Sequence, residues 1–212
     1  MAVAKSEEVE QVVEKAVVAE EIQPELMYKH PLNSTWTLWY YENDRKRSWE
    51  ENQREIISFE TVEDFWSLYN HIKLASELRH GCDYSLFKKG IRPMWEDTSN
   101  VKGGRWLISL DKKQREHELD SFWLETLLCM IGEAFDDHGD EVCGAVVNVR
   151  NKGDKIAVWT SDASRSNCDG VIAIGKKLKE RLRIGPKVQI GYQVHKDTME
   201  KSSSVARNMY TV

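Results

Sequence analysis

The 212-residue chain has a net charge of −5 and 41% hydrophobic residues, as is typical of one globular domain. No apolar run is long enough to cross a bilayer, and the acidic balance argues against binding nucleic acid by bulk charge attraction. Four widely spaced cysteines without a C-x-x-C pair disfavour a zinc site. Without a secretory signal we expect reduced thiols and a cytoplasmic location, with the nucleus as a second compartment.

The chain is predicted to consist of a tail and one domain. Residues 1–27 are rich in Glu and show no sustained hydrophobic period, which predicts a disordered acidic tail. The domain is expected over 28–212. Its polar end, 195–212, is predicted to be a mobile C-terminal segment.

Aromatic and β-branched runs predict strands at 36–41, 54–59, 81–87 and 105–110. Eight tryptophans are unusual for this length, and most are expected in the core. Two of them differ, because Trp49 and Trp95 lie in predicted loops among polar and charged residues. Each is therefore expected to contact a partner or a ligand.

Three helices are predicted. Thr61 and Asp64 match a capping box ahead of a helix that extends towards Ile72. The longest helix is expected over 119–135, and a third begins near Asp169. Apolar residues cover more than one stripe of the longest helix, which leaves open whether it is fully covered or keeps one side exposed for a partner.

The run 142–159 predicts a β-hairpin around a polar loop at 151–154, so that Arg150 pairs with Lys155 and Asn148 with Ala157. Because successive side chains of a strand point to opposite sides of the sheet, the hairpin is expected to have one buried face and one polar face. The buried face holds Val147, Val149, Ile156 and Val158, and the polar face holds Asn148, Arg150, Lys155 and Trp159. Cations beside a tryptophan suit phosphate, although a solvated face is an equally good interpretation of this stretch.

A last strand is predicted where Val188, Ile190, Tyr192 and Val194 alternate. Strands linked as hairpins or through single helices predict an α+β fold. We expect a single curved antiparallel β-sheet of about eight strands, with three helices packed on its convex face. The binding site is then expected on the concave side.

The tryptophan loops and the hairpin together suggest a ligand. Two indoles can enclose a planar ring, and a cationic ring adds roughly 0.5–2 kcal/mol per face. A carboxylate such as Glu96 can accept two hydrogen bonds from the imino and amino groups of guanine, while Arg and Lys hold phosphates. The 7-methylguanosine cap of messenger RNA is such a cationic guanine on a phosphate chain.

Several segments carry a specific resemblance. They are Thr-Val-Glu-Asp-Phe-Trp at 61–66, Pro-Met-Trp-Glu-Asp at 93–97, Gly-Gly-Arg-Trp at 103–106, Phe-Trp-Leu-Glu-Thr-Leu-Leu at 122–128, Gly-Ala-Val-Val-Asn-Val-Arg at 144–150 and Lys-Gly-Asp-Lys-Ile at 152–156. From residue 30 to the C-terminus the chain resembles the eukaryotic translation initiation factor 4E family of cap-binding proteins. The acidic tail matches nothing in that family that we can place.

The resemblance implies a set of cap contacts. The stacking pair falls on Trp49 and Trp95, the guanine-reading carboxylate on Glu96, and the methylated edge of the base against Trp159. Phosphate contacts fall on Arg150 and Lys155, with Lys152 and Arg105 as looser candidates.

The resemblance also implies a partner surface for a helix of the scaffold factor 4G or of 4E-binding repressor proteins. It comprises His30, Pro31, Val62, Trp66, Leu124, Glu125 and Leu128. A phosphorylated serine is expected near the C-terminus, at Ser204. We expect a monomer that does not associate with membranes.

These features predict a protein that recruits capped messenger RNA to the translation machinery, with a cap-binding repressor or adaptor of the same fold as the alternative. We expect no enzyme, because the six histidines are scattered and no helix carries a carboxylate cluster that would hold a metal. No cofactor or metal is expected. The sequence leaves open whether trimethylated guanosine caps are bound.

Overall fold

The computed structural model describes residues 28–200 and 207–212. The described residues from Pro31 onward form one compact unit, and Tyr28 to His30 precede it. The acidic tail predicted over 1–27 lies outside the described residues. In the described part of the chain, no helix has both the length and the apolar character that a membrane span requires.

The predicted antiparallel sheet is confirmed. Its eight strands within the described residues follow the order β2-β1-β3-β5-β6-β4-β7-β8, and every neighbouring pair is antiparallel. The strands are β1 Pro31–Tyr41, β2 Gln53–Thr61, β3 Asp83–Lys88, β4 Gly104–Leu110, β5 Val142–Asn148, β6 Asp154–Thr160, β7 Gly191–Val194 and β8 Tyr210–Thr211.

Six α-helices accompany the sheet over the described ranges. They are α1 Trp49–Asn52, α2 Val62–His71, α3 Lys112–His117, α4 Leu119–Ile131, α5 Cys168–Arg181 and α6 His195–Glu200. The three longest, α2, α4 and α5, are the three predicted from periodicity. Their apolar residues join one face of the sheet in a main core that includes Trp36, Trp106 and Trp123. The opposite face of the sheet carries a smaller second cluster, formed by Phe87, Cys143, Val146, Ala157 and Trp159.

Local signals explain where the helices begin and end. Thr61 caps α2 as predicted, because its Oγ1 accepts from the backbone N–H of Asp64 at 3.2 Å. Helix α4 ends at Ile131, earlier than the predicted residue 135. Glu133 there takes a left-handed conformation with φ 53°, which an α-helix cannot continue through.

The hairpin of β5 and β6 confirms the predicted faces but corrects the register. Asn148 pairs with Lys155, not with Ala157. Because side chains alternate with a period of two, this two-residue shift leaves every side chain on its predicted face. The loop is 149–153, and Asp154 belongs to β6 instead of the loop. Its buried carboxylate accepts from the backbone N–H of Arg150 at 3.0 Å and from Arg115, and these bonds draw it into the structure.

The C-terminal region has more secondary structure than the sequence suggested. The last predicted strand begins only at Gly191, and Val188 is exposed. Within the stretch expected to be mobile, α6 carries the buried side chain of His195, and Tyr210 of β8 pairs with Tyr192. Residues 201–206, which include Ser204, lie outside the described residues. The mobility of this segment and the modification of Ser204 therefore stay predictions.

Candidate functional site

A cavity of about 350 Å³ lies on the face of the sheet that the helices leave uncovered. Five of the predicted cap-contacting residues line it, namely Trp49, Trp95, Glu96, Arg105 and Trp159. The remaining lining residues are Tyr41, Gln53, Asp83, Ser85, Pro93, Met94, Val146 and Asn148. Residues more than 100 positions apart, such as Tyr41 and Trp159, thus meet at one site because β1, β3, β5, β6 and β4 lie in succession in one sheet.

Trp49 is presented by a short helix, where the sequence predicted a loop. Ser48 caps this helix reciprocally with Glu51: its hydroxyl accepts from the Glu51 N–H at 3.2 Å, and its own N–H donates to Oε2 of Glu51 at 2.7 Å. The Trp49 side chain is 46% exposed, and its ring centroid lies 6.2 Å from that of Tyr41. The cap therefore holds a largely exposed indole at the edge of the cavity.

Trp95 and Glu96 lie on a loop that is braced from inside. The buried amide of Asn100 donates to the carbonyl oxygens of Arg92 at 2.9 Å and Met94 at 2.8 Å. The indole of Trp95 is half-buried and Glu96 is exposed. Among the described residues nothing donates a hydrogen bond to the Glu96 carboxylate or forms an ion pair with it. Its two oxygens are therefore available to accept hydrogen bonds from a ligand.

Trp159 forms the apolar wall of the cavity. It is 5% exposed, with its ring edge-on to Phe87 at 5.4 Å and its centroid 4.3 Å from that of His195. Burial, and then the positive charge of Arg105, lowers the pKa of His195 to about 3. His195 is therefore neutral at physiological pH, and the wall behind the cavity carries no charge.

Arg105 is the cation most deeply built into the site. It lies on β4 between Trp159 of β6 and Gln193 of β7, and its Nη2 donates to Oε1 of Gln193 at 3.4 Å. Its Nε is buried without a hydrogen-bond partner, and no carboxylate of the described chain lies within ion-pair distance of it. Burial lowers the pKa of the guanidinium, but arginine stays charged in proteins. A partly buried cation without a carboxylate is costly unless an anion approaches it.

The three hairpin cations lie beside the cavity and do not line it. Arg150 donates to both carboxylate oxygens of Asp83, a lining residue, with Nη2 3.0 Å from Oδ2. Burial raises the pKa of Asp83, and the Arg150 guanidinium opposes that rise. Lys155 pairs across the sheet with the lining residue Asn148, and Lys152 is exposed in the loop. The cations thus surround the end of the cavity formed by Asp83 and Asn148.

Two lining residues, Asp83 and Tyr41, were not predicted from the sequence. A signal for Asp83 was present, because Asp83 and Ser85 alternate with Tyr84 and Leu86 along β3. That alternation marks one polar face on an otherwise apolar strand. Nothing in the local sequence marked Tyr41, whose ring enters the site through contact with Trp49.

The predicted partner surface is only partly exposed. On α2, Val62 is 36% and Trp66 38% exposed, and Pro31 pairs with Thr61 at the start of that helix. On α4, Leu124 and Leu128 pack partly against the main core. Glu125 accepts a hydrogen bond from Nε of Arg181 at 2.7 Å. His30 is exposed and precedes the compact unit. Helix α4 is thus neither fully covered nor fully open.

A larger groove of about 890 Å³ runs along α4, the end of α5 and residues 183–188. Its lining contains no tryptophan, and it mixes Glu118, Glu125 and Glu180 with Arg181 and Arg183. Size alone therefore does not identify the site. The smaller cavity combines aromatic faces, an accepting carboxylate and a guanidinium that forms no ion pair within the part of the chain that the structure describes, and so can bind a planar, charged ligand.

The chain is similar to known proteins over most of its length. The zebrafish (Danio rerio) eukaryotic translation initiation factor 4E-1A is 61% identical over 184 residues, which cover 87% of this chain and 85% of the zebrafish protein. Ascaris suum eIF4E-3, solved with the m2,2,7G cap, is 49% identical with a TM-score of 0.81 and covers 87% of this chain and 99% of its own. Caenorhabditis elegans eIF4E-3, solved with the 4E-binding protein Mextli and a cap analog, is 48% identical with a TM-score of 0.80, covering 87% and 100%.

The family model described as eukaryotic initiation factor 4E matches residues 31–210, which is nearly the whole of the compact unit. Sequence identity, fold and family model agree over the same part of the chain. The protein therefore belongs to the eukaryotic initiation factor 4E family.

Proposed function

We propose that this protein binds the 7-methylguanosine cap of messenger RNA in the cavity between Trp49 and Trp95, and that it recruits capped messages to translation initiation through a 4G-type scaffold. One observation carries the proposal. Trp49, Trp95, the carboxylate of Glu96 and the guanidinium of Arg105, which has no carboxylate partner among the described residues, line the same cavity. That combination matches a ligand that is flat, cationic in its ring and anionic in its tail.

The base is recognised by stacking and by hydrogen bonds. Methylation at N7 gives guanine a positive charge, so the faces of Trp49 and Trp95 attract it more strongly than a neutral base. Glu96 accepts from the imino and amino groups of guanine, a donor pair that adenine does not present. Trp159 borders the methylated edge of the base, where an apolar wall excludes water.

The phosphates are held by cations in two places, Arg105 in the cavity lining beside Trp159 and the hairpin cations near Asp83 and Asn148. Arg105 is the nearest cation, because it lines the cavity and has no carboxylate partner in the described chain. Arg150, Lys155 and Lys152 supply further positive charge from the hairpin and its loop. Charge-assisted hydrogen bonds to phosphate are the strong ones, so these residues determine how far affinity grows with the number of phosphates.

The partner surface takes an amphipathic helix. Trp66 and Val62 are exposed on α2, and Leu124 and Leu128 extend the apolar strip on α4. The Caenorhabditis elegans neighbour was solved with a 4E-binding protein, which supports this use of the fold. His30, Pro31 and Glu125 complete the proposed contact set.

The proposed activity is binding without catalysis, by a monomer acting in the cytoplasm and also in the nucleus. The cavity lining brings no histidine or cysteine together with a carboxylate, which is the combination that acid–base or nucleophilic catalysis would use. Ser204 remains the proposed phosphorylation position.

The test is ligand discrimination by the intact chain. The protein is expected to be retained on immobilised 7-methyl-GTP and released by the free methylated nucleotide but poorly by GTP. Tryptophan fluorescence gives the two affinities in solution, and equal quenching curves for both nucleotides would count decisively against a clamp that selects a cationic ring. Titrating the mono- and trimethylated caps side by side then shows whether the base site accepts both, which the Ascaris complex makes the next question.

A further inference from the structure

We propose that Arg115 and Asp154, which lie outside the cavity, act as positioning residues that set the phosphate affinity of the site by holding Arg150 in place. The inference rests on the proposed function, since it concerns how one of its phosphate contacts is aligned. Neither residue is among those that line the cavity. Their effect on a ligand is therefore indirect, and we assign it to the backbone of Arg150, which both residues contact.

Arg115 is held in place by the way its short helix begins. Asp111 follows β4 and caps α3: its Oδ1 accepts from the backbone N–H groups of Lys113 at 2.8 Å and Gln114 at 2.9 Å. The Gln114 side chain accepts in turn from the Asp111 N–H at 2.9 Å. A reciprocal cap of this kind stabilises even a six-residue helix. Arg115 thus projects from a fixed backbone.

The guanidinium of Arg115 meets a carboxylate that is fully buried. Its Nε lies 2.6 Å from Oδ2 of Asp154, and its Nη2 lies 2.5 Å from Oδ1. The Asp154 side chain is 0% exposed and that of Arg115 is 16% exposed. Two parallel hydrogen bonds fix the relative orientation of the two side chains. Each charge also neutralises the other, so removing one would leave the other buried without an ion-pair partner.

This pair also holds the backbone of Arg150 at both of its polar groups. Nη2 of Arg115 donates to the carbonyl oxygen of Arg150 at 2.5 Å, and Oδ1 of Asp154 accepts from the Arg150 N–H at 3.0 Å. Asp83 then holds the guanidinium of the same residue from the cavity side. Arg150 is therefore fixed at three points, of which only Asp83 belongs to the cavity.

The loop has little freedom to compensate if the pair is lost. Gly153 adopts a φ of 149°, a conformation that side-chain-bearing residues rarely adopt, and a Cβ there would lie 2.7 Å from the carbonyl oxygen of Leu110. The loop thus packs closely against the end of β4, the strand that leads directly into α3. The Arg115–Asp154 pair joins α3 to the same loop, because both residues also bind the backbone of Arg150.

The test compares two ligands that share a base but differ in phosphates, 7-methyl-GTP and the nucleoside 7-methylguanosine. In R115Q we expect the 7-methyl-GTP affinity to fall about tenfold, as for the loss of one well-aligned charge-assisted contact. The 7-methylguanosine affinity is expected to stay within about twofold of the original, because stacking and Glu96 do not involve the loop. Both are measured by tryptophan fluorescence at one fixed salt concentration.

The matched control is K113Q, which removes the same positive charge from an exposed residue of the same helix. K113Q is expected to change the affinities for 7-methyl-GTP and 7-methylguanosine by no more than about twofold, since salt screens the charge of an exposed residue outside the cavity. If R115Q behaves like K113Q towards both ligands, the inference is overturned. An equal loss for the two ligands also overturns it, because that result describes general loosening of the fold.

Removing one partner of a buried pair destabilises a protein, so thermal unfolding is followed for every variant. If R115Q lacks a cooperative unfolding transition, the double variant R115Q/D154N takes its place, because it leaves no buried charge uncompensated. The same selective loss of 7-methyl-GTP affinity is expected from it. Failure of the proposed function is distinct: it would appear as absence of 7-methyl-GTP binding by the unaltered chain.

Discussion

The tryptophans on the two faces of the sheet differ in what surrounds them. Under the helices, Trp36, Trp106 and Trp123 are 2% exposed or less and are packed into the main core. On the uncovered face and in its loops, Trp49 is 46% exposed and Trp95 is half-buried. The same residue type therefore stabilises the fold on one face and is left available on the other, which indicates a binding surface.

A third kind of environment lies between these extremes. Trp159 is 5% exposed but belongs to the second cluster on the uncovered face, and it still lines the cavity. Trp66 is 38% exposed on α2, far from the cavity lining. The tryptophans thus fall into three groups: those buried in the core, those proposed to bind a nucleotide, and Trp66, which is proposed to bind a partner. Substitution of a tryptophan from each group is therefore expected to change a different property: stability, nucleotide affinity or partner affinity.

The largest expected effect is on stability. Trp106→Ala should lower the free energy of unfolding by about 3–5 kcal/mol, the usual cost of truncating a fully buried large aromatic. The indole also donates to the carbonyl oxygen of Val171 at 2.9 Å, and that bond would be lost. Denaturant unfolding measures the change. A loss below about 1 kcal/mol would mean that this face is not the core.

Trp49→Leu should leave stability nearly unchanged but weaken 7-methyl-GTP binding by about 2–4 kcal/mol, the combined size of one stacking face and its cation–π contribution. Fluorescence titration and thermal unfolding on the same sample separate the two quantities. Unchanged affinity would show that the exposed indole has no role in the clamp. Trp66→Ala serves as the control here, since it removes another exposed indole, one that lies outside the cavity.

Glu96→Ala should weaken 7-methyl-GTP binding by about 2–3 kcal/mol, because an ionised acceptor of two hydrogen bonds is lost. Glu50→Ala removes an exposed carboxylate beside Trp49 and is expected to leave affinity unaltered, which controls for the change in net charge. Calorimetry measures the 7-methyl-GTP affinity of both variants. Equal effects of the two substitutions would mean that the base is read by another group.

Trp66→Ala should weaken capture of a peptide carrying the 4E-binding motif by roughly 2 kcal/mol, as expected of a tryptophan at the centre of an interface. The 7-methyl-GTP affinity should stay the same, since Trp66 lies on the face away from the cavity. Binding to the immobilised peptide measures the partner affinity, and a fluorescence titration measures the 7-methyl-GTP affinity. If both fall together, Trp66 supports the fold and the partner surface lies elsewhere.

A separate effect, on the pH dependence of stability, concerns His195 behind Trp159. Its pKa of about 3 in the folded chain lies below the ordinary value of 6.5, so the unfolded state binds a proton that the native state does not. The stability that it contributes is complete above pH 6.5 and is lost as pH falls towards 3, by up to about 1.4 kcal/mol per pH unit. His195→Gln should reduce this acid sensitivity. The free energy of unfolding of both proteins is measured between pH 6.5 and 4.5. If it falls equally steeply with pH in the original protein and in the His195→Gln variant, this prediction is wrong.

Much of the site was predictable because its signals are local. Trp49, Trp95 and Glu96 stand in polar surroundings in the sequence, and they line the cavity. Alternation sorted the hairpin residues correctly between the buried face and the polar face. Local alternation, periodicity and capping also predicted seven of the eight strands within the described residues, the three long helices and the start of α2 at Thr61, whereas β8 was not predicted.

What could not be predicted depends on residues that are distant in sequence. Arg105 looked like a minor candidate, yet it is the cation that lines the cavity, because β4 pairs between β6 and β7. Arg150 was predicted only as a phosphate contact on the polar face of the hairpin, yet Asp83 and the Arg115–Asp154 pair hold it in place. Sequence spacing carries no information about which remote charges become neighbours.

By itself, the sequence determined the alternating faces, the helix starts and the residue types available for a clamp, since these follow from one residue's relation to its near neighbours. Only the tertiary structure decided the strand order, the two-residue shift of the hairpin register and the burial of His195 beside Arg105. Those features depend on closing contacts across long stretches of chain, where many pairings share the same local pattern. Packing and the partners available to buried charges select among them.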